Sequence, residues 1–425
     1  MEKVMKRKLL KQIKSQWRSN LWLVVELVIV SVVLWYIIDL VTIMTQPMFE
    51  PNGFNVEHCY KLSLKRSGEV KPGEPEMTSG QEGVEIVKRL RRYPGVEAVA
   101  VSQAIEPYCG DFSSCTMYDI DNDSLEYGNH RPALRYGRAN ADFLRVFRHE
   151  GARGETPEEI AADFGVGKII VAENFSQSVD SGVPAHSAFD LLGHRMALGR
   201  GEFRISSVVK NVKREDSTPQ KYYSFVILYL DDNSEIDMDW FSGLSIRVKP
   251  EAEKDFIENF RKDMQKQFHV GLSYIIDIKS FDQIREERMA NDRRLKSKLY
   301  IVVGFLLLNV FLGLLGTFWY RTRQRVSEMA VRMTFGATRG SIFRRLMSEG
   351  IILLVIATVI AIGIDCAIAH LELNMRPEGD HLTFEMIAIA SGITFLLSLL
   401  MIFLGVYFPA RSAMKIEPAE ALHNE

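Results

Sequence analysis

Net charge is nearly absent from this chain: 52 Lys and Arg against 54 Asp and Glu leave −2 over 425 residues. Bulk charge therefore gives no electrostatic footprint for nucleic acid. Internal repeats and low-complexity tracts are missing. So are the short signatures of catalysis: H-E-x-x-H, G-x-S-x-G and C-x-x-C do not occur. The nearest string to a nucleotide-binding P-loop is ADFGVGKII, with Ala162 where the first glycine belongs and Ile169 after Lys168 in place of Ser or Thr. Neither an enzyme activity nor a bound cofactor is expected in this chain. His370 and His381 share one short loop and read as isolated polar residues rather than a metal site.

Long apolar runs are present. Crossing a hydrocarbon core takes about 20 residues of helix, and residues 21–44, 299–320, 346–369 and 385–408 each meet that length. A soluble core helix is rarely apolar all round for so long. The flanks set the orientation. Lys3, Lys6, Arg7, Lys8, Lys11, Lys14 and Arg18 precede the first run against Glu2 alone. Arg321, Arg323, Arg325, Arg332, Arg339, Arg344 and Arg345 separate the second from the third, against Glu328. The loop between the third and fourth carries Arg376 with Glu372, Glu378 and Asp380. Both basic flanks and both termini are expected in the cytosol, with residues 45–298 outside it. Trp22, Trp319, Tyr320 and Tyr407 then fall at cytosolic span ends, where amphipathic rings favour the headgroup layer. The first run is too long for a signal-peptide h-region and reads as a retained anchor.

The expected organisation is a basic cytosolic segment (1–20), a first span (21–44), a large outer α+β region (45–298), then spans 299–320, 346–369 and 385–408. These are joined by a cytosolic segment (321–345) and a short outer loop (370–384), and a cytosolic tail (409–425) follows. Leu9, Leu10, Ile13 and Trp17 share one helical face, which suits either a helix on the inner leaflet or a plain topogenic flank. Of the cysteines, Cys366 lies in a span and Cys59, Cys109 and Cys115 lie outside. Cys109 and Cys115 flank GDFSS and either close a small disulfide loop or stay thiols.

In the outer region, residues 83–93, 155–164 and 251–268 pattern as helices. Residues 96–102, 168–172, 203–212, 223–230 and 244–248 pattern as strands. Interleaving of this kind predicts an α+β or split βαβ fold, with helices on one sheet face. Residues 125–205 are richer in Gly and loop residues and allow a second small lobe. Ser280 and Gln283 form a capping box that opens a charged helix, 280–298. Without Gly or Pro before Gly304, it is expected to run into the second span, its 18 or so residues rising about 27 Å at 1.5 Å each. It is either a solvated exit or a rod that carries motion.

The spans hold few polar groups, and four such helices, even doubled, would not line a wide hydrophilic conduit. Glu26, Asp39 and Asp365 lie within a turn or two of span ends, where interfacial placement is expected rather than a proton relay. Gly313, Gly316 and the Ala388/Gly392 pair would permit close helix approach.

Segment 321–350, RTRQRVSEMAVRMTFGATRGSIFRRLMSEG, is the most informative. Val326, Met329, Ala330 and Met333 follow i, i+3, i+4, i+7, beside a charged stripe of Arg325, Glu328 and Arg332. Gly336 suits a helix C′ position and Thr338 a cap for the next helix. The periodicity allows a docking helix for a cytosolic partner or an interfacial helix that touches only lipid.

This segment resembles the coupling segment of the MacB/FtsX-like ABC permease family, whose pattern E-[IM]-[GA]-[IV]-R-x-x-x-G-A-[TR] stands here as Glu328, Met329, Ala330, Val331, Arg332, Gly336, Ala337 and Thr338. The family's C-terminal pattern appears as Pro409, Ala410, Ala413, Pro418, Ala421 and Leu422. RYGRANADFLRVF and FRISSVVKNVKRE resemble its periplasmic domain. The family's run of basic residues is thinned here to Arg339-Gly340. The resemblance implies a homodimer or a heterodimer with a related permease, in a bacterial cytoplasmic (inner) membrane. It further implies a separate ABC ATPase that binds ATP and Mg, and a periplasmic domain that meets cargo or an adaptor. It implies ATPase docking through Arg325, Glu328, Arg332, Phe335, Gly336, Ala337, Thr338 and Arg339. Two functions fit: export of peptides, antimicrobials or lipoproteins, and signalling by the same architecture through a cell-wall hydrolase or a sensed ligand. A membrane-anchored enzyme finds no site.

Overall fold

The computed structural model describes residues 17–68, 77–109, 113–122, 125–127, 134–178, 187–220, 223–231, 243–325, 331–371 and 384–413. In chain order the helices are α1 (Trp17–Phe49), α2 (Ser79–Arg92), α3 (Asp142–Val146), α4 (Pro157–Asp163), α5 (Glu253–Gln267), α6 (Phe281–Gln324), α7 (Arg339–His370) and α8 (Phe384–Ala413). The strands are β1 (Cys59–Arg66), β2 (Val96–Gln103), β3 (Ser113–Ser114), β4 (Met117–Asp119), β5 (Leu125–Tyr127), β6 (Arg135–Ala139), β7 (Lys168–Ala172), β8 (Arg195–Leu198), β9 (Gly201–Val209), β10 (Phe225–Tyr229), β11 (Gly243–Val248), β12 (His269–Val270) and β13 (Ser273–Ser280). The chain divides into two units, residues 1–44 with 295–425, and residues 45–294.

Among the described residues four helices are long and apolar enough to cross a membrane: Leu21–Phe49, Phe281–Gln324, Gly340–His370 and Met386–Phe408. Their core joins Leu23, Leu27 and Leu34 of α1 and Leu314 and Phe318 of α6 to Leu353, Leu354 and Ala357 of α7 and Met401, Ile402 and Val406 of α8. The opposite faces are apolar too. Val25, Ile29 and Val33 on α1, Phe305, Leu308 and Leu312 on α6, Val355 and Val359 on α7, and Leu396 and Leu400 on α8 are all exposed. Helices apolar on both the packed and the open face belong in lipid, and this is a membrane protein.

Close packing comes from glycines other than those expected. A Cβ on Gly405 would stand 2.8 Å from Phe318 Cβ, and one on Gly350 would stand 2.9 Å from Ile402, whereas Gly313, Gly316 and Gly392 have nothing within 4 Å. Phe318 therefore fills the space that two smaller residues leave. The three acids within the apolar runs are covered by neighbouring helices. Asp39 and Asp365 are buried, and Glu26 accepts a 2.8 Å bond from the Thr317 hydroxyl of α6.

In the second unit, β1-α2-β2 and β11-α5-β13 interlock as a split βαβ arrangement. The local strand order is β13-β1-β11-β2, and every neighbouring pair is antiparallel. Alternation on β2 explains why both faces fill. Val99 and Val101 join α2 and α5 in one cluster with Tyr93, Phe256 and Phe260. Ala98 and Ala100 point the other way, into a cluster with Phe143, Phe147 and Ile160. Residues between β2 and β11 extend the same sheet through β6, β10, β7, β9, β8, β4 and β5, to 13 strands in all. Region 125–205, read above as allowing a second lobe, thus lies within one compact unit, although its strands carry a core of their own around Tyr127, Phe175 and Met196.

The expected capping box is present at the start of α6: the Gln283 N–H donates to Ser280 Oγ at 3.2 Å and the Ser280 N–H donates to Gln283 Oε1 at 3.4 Å. The helix then continues unbroken for 44 residues.

Candidate functional site

The segment between α6 and α7 is built from two abutting helix ends. Residues 331–334 are helical. They end in a Schellman turn: Ala337 N–H donates to Arg332 O at 3.0 Å and Gly336 N–H to Met333 O at 3.0 Å. Gly336 sits at φ +87, where a Cβ strains the backbone although it would meet no atom within 4 Å. Two residues on, Thr338 caps α7, its hydroxyl accepting from Ser341 N–H at 3.3 Å. Gly336, Ala337 and Thr338 thereby form a rigid corner, as their order predicts.

The side chains divide into two groups. Met333, the one described residue of the apolar stripe, packs with Ala337 on Ile342 of α7 and is partly buried there. Phe335 points outward and is 87% exposed, and Val331 is exposed beside it. An exposed aromatic ring on a stiff turn is a surface that a partner or lipid can cover. Arg325 does not belong to the exposed set. Its guanidinium forks onto Glu349 of α7, NH1 to Oε2 at 2.7 Å and NH2 to Oε1 at 3.1 Å, which ties α6 to α7 beside a cleft lined by Leu23, Phe318, Arg321 and Leu346. Glu349 was missed from sequence; its signal was an acid just inside an otherwise apolar run. Arg332 is half-buried at the corner. Arg339 opens α7, with its side chain outside the described set. Glu328, with Val326, Met329 and Ala330, lies outside the described residues.

Cys109 and Cys115 are not bridged; all four cysteines are thiols. Burial pushes the Cys115 thiol, and that of Cys59, up to about 12, so neither ionises near neutrality. Among the described residues no group of three or more His, Cys, Asp and Glu side chains is placed to hold a metal.

Residues 300–418 match the FtsX-like permease C-terminal family, which takes in α7, α8, the corner and most of the membrane part of α6. Similar curated proteins include the macrolide export ATP-binding/permease protein MacB of Psychrobacter cryohalolentis, 27% identical over 315 residues, or 72% of this chain and 44% of that protein. Another is the probable syringafactin export ATP-binding/permease protein SyfD of Pseudomonas syringae pv. tomato, 24% identical over 180 residues, or 42% of this chain and 26% of that one. The chain thus spans less than half the length of these relatives. Among solved structures, the periplasmic region of MacB from Actinobacillus actinomycetemcomitans aligns at 10% identity and a TM-score of 0.32, covering 56% of this chain and 96% of that one.

Four long apolar helices, an inserted α+β unit and a capped corner between α6 and α7 make the architecture of a membrane permease. Its membrane part is similar to the FtsX-like permeases, and the likeness to MacB-type ATP-binding/permease proteins extends over 72% of the chain.

Proposed function

We propose that this chain is a permease subunit that relays ATP-driven motion of a separate cytosolic ABC ATPase to its inserted domain on the far side of a bacterial cytoplasmic membrane. The inserted domain then handles peptides, antimicrobials or lipoproteins for export. The ATPase binds ATP and Mg; this chain does no chemistry of its own and works as a dimer, with itself or a related permease. Both termini and the 321–345 segment face the cytosol. The apolar spans support this division of labour, because cargo met by the outer domain needs no polar path through the bilayer.

The observation that carries the reading is the corner at 335–338. Phe335 is held out from a capped, positively flanked turn whose inward residues already satisfy its own packing. The test is site-directed photocrosslinking at Phe335 in cells, followed by identification of the product. An ABC ATPase captured from wild type and lost with Arg332→Glu, with membrane insertion intact, is the expected result. A corner that captures only lipid overturns it. With the ATPase in hand, cargo efflux against activation of a cell-wall hydrolase separates export from signalling.

A further inference from the structure

Segment 210–220, between β9 and β10, makes more long-range polar contacts than a connecting loop needs. Lys213, 2% exposed, donates its backbone N–H to Asn52 O at 2.9 Å. Its ammonium reaches Pro47 O and, at 2.5 Å, Glu50 O, carbonyls at or just past the end of α1. Gln220 adds a side-chain bond to Pro51 O at 2.7 Å, and its N–H donates to Glu50 Oε2 at 3.0 Å. Gly53 completes the fit: at φ +76, a Cβ there would stand 2.2 Å from Asn211 O, so only glycine lets the two loops close on each other.

The same segment holds the start of α6. Asp216 Oδ2 accepts from Arg285 Nε at 2.6 Å and Glu215 Oε2 from Arg288 Nε at 3.1 Å. Arg285 and Arg288 are three apart and so share a face of the helix. The other oxygen of Asp216 accepts from Tyr108 Oη at 2.9 Å and from Asn52 Nδ2 at 3.4 Å. One carboxylate thus meets the chain leaving α1, the loop after β2 and the first turns of α6. Isolated exposed ion pairs contribute little. Here both acids are mostly shielded, their side chains 23% and 19% exposed, and the bonds share partners, the condition under which interactions couple.

We propose that residues 210–220 form a buckle that makes the end of α1 and the start of α6 a single mechanical element of the inserted domain, with Asp216 as its positioning residue. A pull on either helix is then delivered to the β9–β10 part of the sheet, rather than absorbed in a loop. The proposal deepens the relay reading and rests on it for its purpose. Its test needs no ATPase, so loss of the buckle and loss of ATPase docking are separate outcomes.

The experiment is amide hydrogen exchange on the full chain in phosphatidylethanolamine/phosphatidylglycerol nanodiscs. Arg285→Gln alters an exposed side chain on α6 whose ion-pair partner is Asp216 rather than a residue of 52–55. Exchange is expected to rise on the order of tenfold at 52–55 as well as at 281–288, about 1.4 kcal/mol by conversion and within the range of couplings in shared networks. Arg285→Lys keeps the charge and should hold both segments close to wild type. The proposal is overturned if 52–55 does not respond to Arg285→Gln, or if the Lys variant is as loose as the Gln variant.

Discussion

Phe281 is the first residue of α6, yet it belongs to the core of the sheet unit. It is fully buried and meets Phe147 edge-to-face, with centroids 5.1 Å apart and planes at 82°. The cluster around it includes Phe143, Val146 and Ile160. Removing a phenyl ring from such a site forfeits its transfer free energy and leaves a cavity, about 4 kcal/mol together. For a unit of this size that lowers the melting temperature by roughly 8 °C. The assay is urea and thermal unfolding of residues 45–294 followed by circular dichroism, with Phe281→Ala against wild type. A domain cut at 50–279, before the charged helix begins, loses Phe281, Arg285 and Arg288 together and is expected to be destabilised at least as much. If Phe281→Ala costs under about 1 kcal/mol, or the shorter piece matches the longer, the sheet unit does not own the start of α6 and the reasoning fails.

His149 is fully buried, stacked on Phe143 at 5.3 Å, and burial lowers its pKa from 6.5 to about 4. The neutral form is favoured in the folded state, so its contribution is complete above pH 6.5, is lost as pH falls from 6.5 to 4, and changes no further below. The loss is about 3 kcal/mol, read as the difference in unfolding free energy between wild type and His149→Phe across that window; parallel curves contradict it. Gly336→Ala forces a Cβ into the left-handed region at a cost of roughly 1–2 kcal/mol; faster exchange at 331–337 with unchanged membrane insertion is expected. Arg325→Ala or Glu349→Ala leaves a mostly buried charge without its fork and costs about 3 kcal/mol in detergent melts. The double variant should lose clearly less than the sum, and strict additivity would deny the pair.

The sequence revealed most where one physical requirement dominates. Apolar length marked the four long helices but not their ends, since α6 begins at Phe281 and its charged first turns lie well before the apolar run. Caps were legible at Ser280 and Thr338, and the left-handed turn at Gly336, because each needs a residue type at a fixed offset. Strand 168–172 was placed at its observed ends by its run of buried branched residues. Pairings distant in sequence were not legible. Nothing local says that Asp216 meets Arg285 or that Arg325 meets Glu349. The candidate site shows the same division: residue order found the corner, but periodicity left its apolar stripe open between a partner and lipid. Met333 packs instead on its own α7, and the exposed ring is Phe335, one residue from the Schellman glycine. Phe318 against Gly350 and Gly405 likewise depends on which helices meet, and small-residue spacing within one helix cannot say that.

The central claim is that the corner and the inserted domain work on opposite sides of one membrane. Two residues suit its test, Phe335 at 87% and Val166 at 82% exposure. Each is replaced by cysteine in a cysteine-free chain and probed with a membrane-impermeant maleimide, on spheroplasts and then after permeabilisation. Val166→Cys is expected to label in intact spheroplasts and Phe335→Cys only once the membrane is opened. Labelling of both before permeabilisation, or of both only after it, would contradict the account.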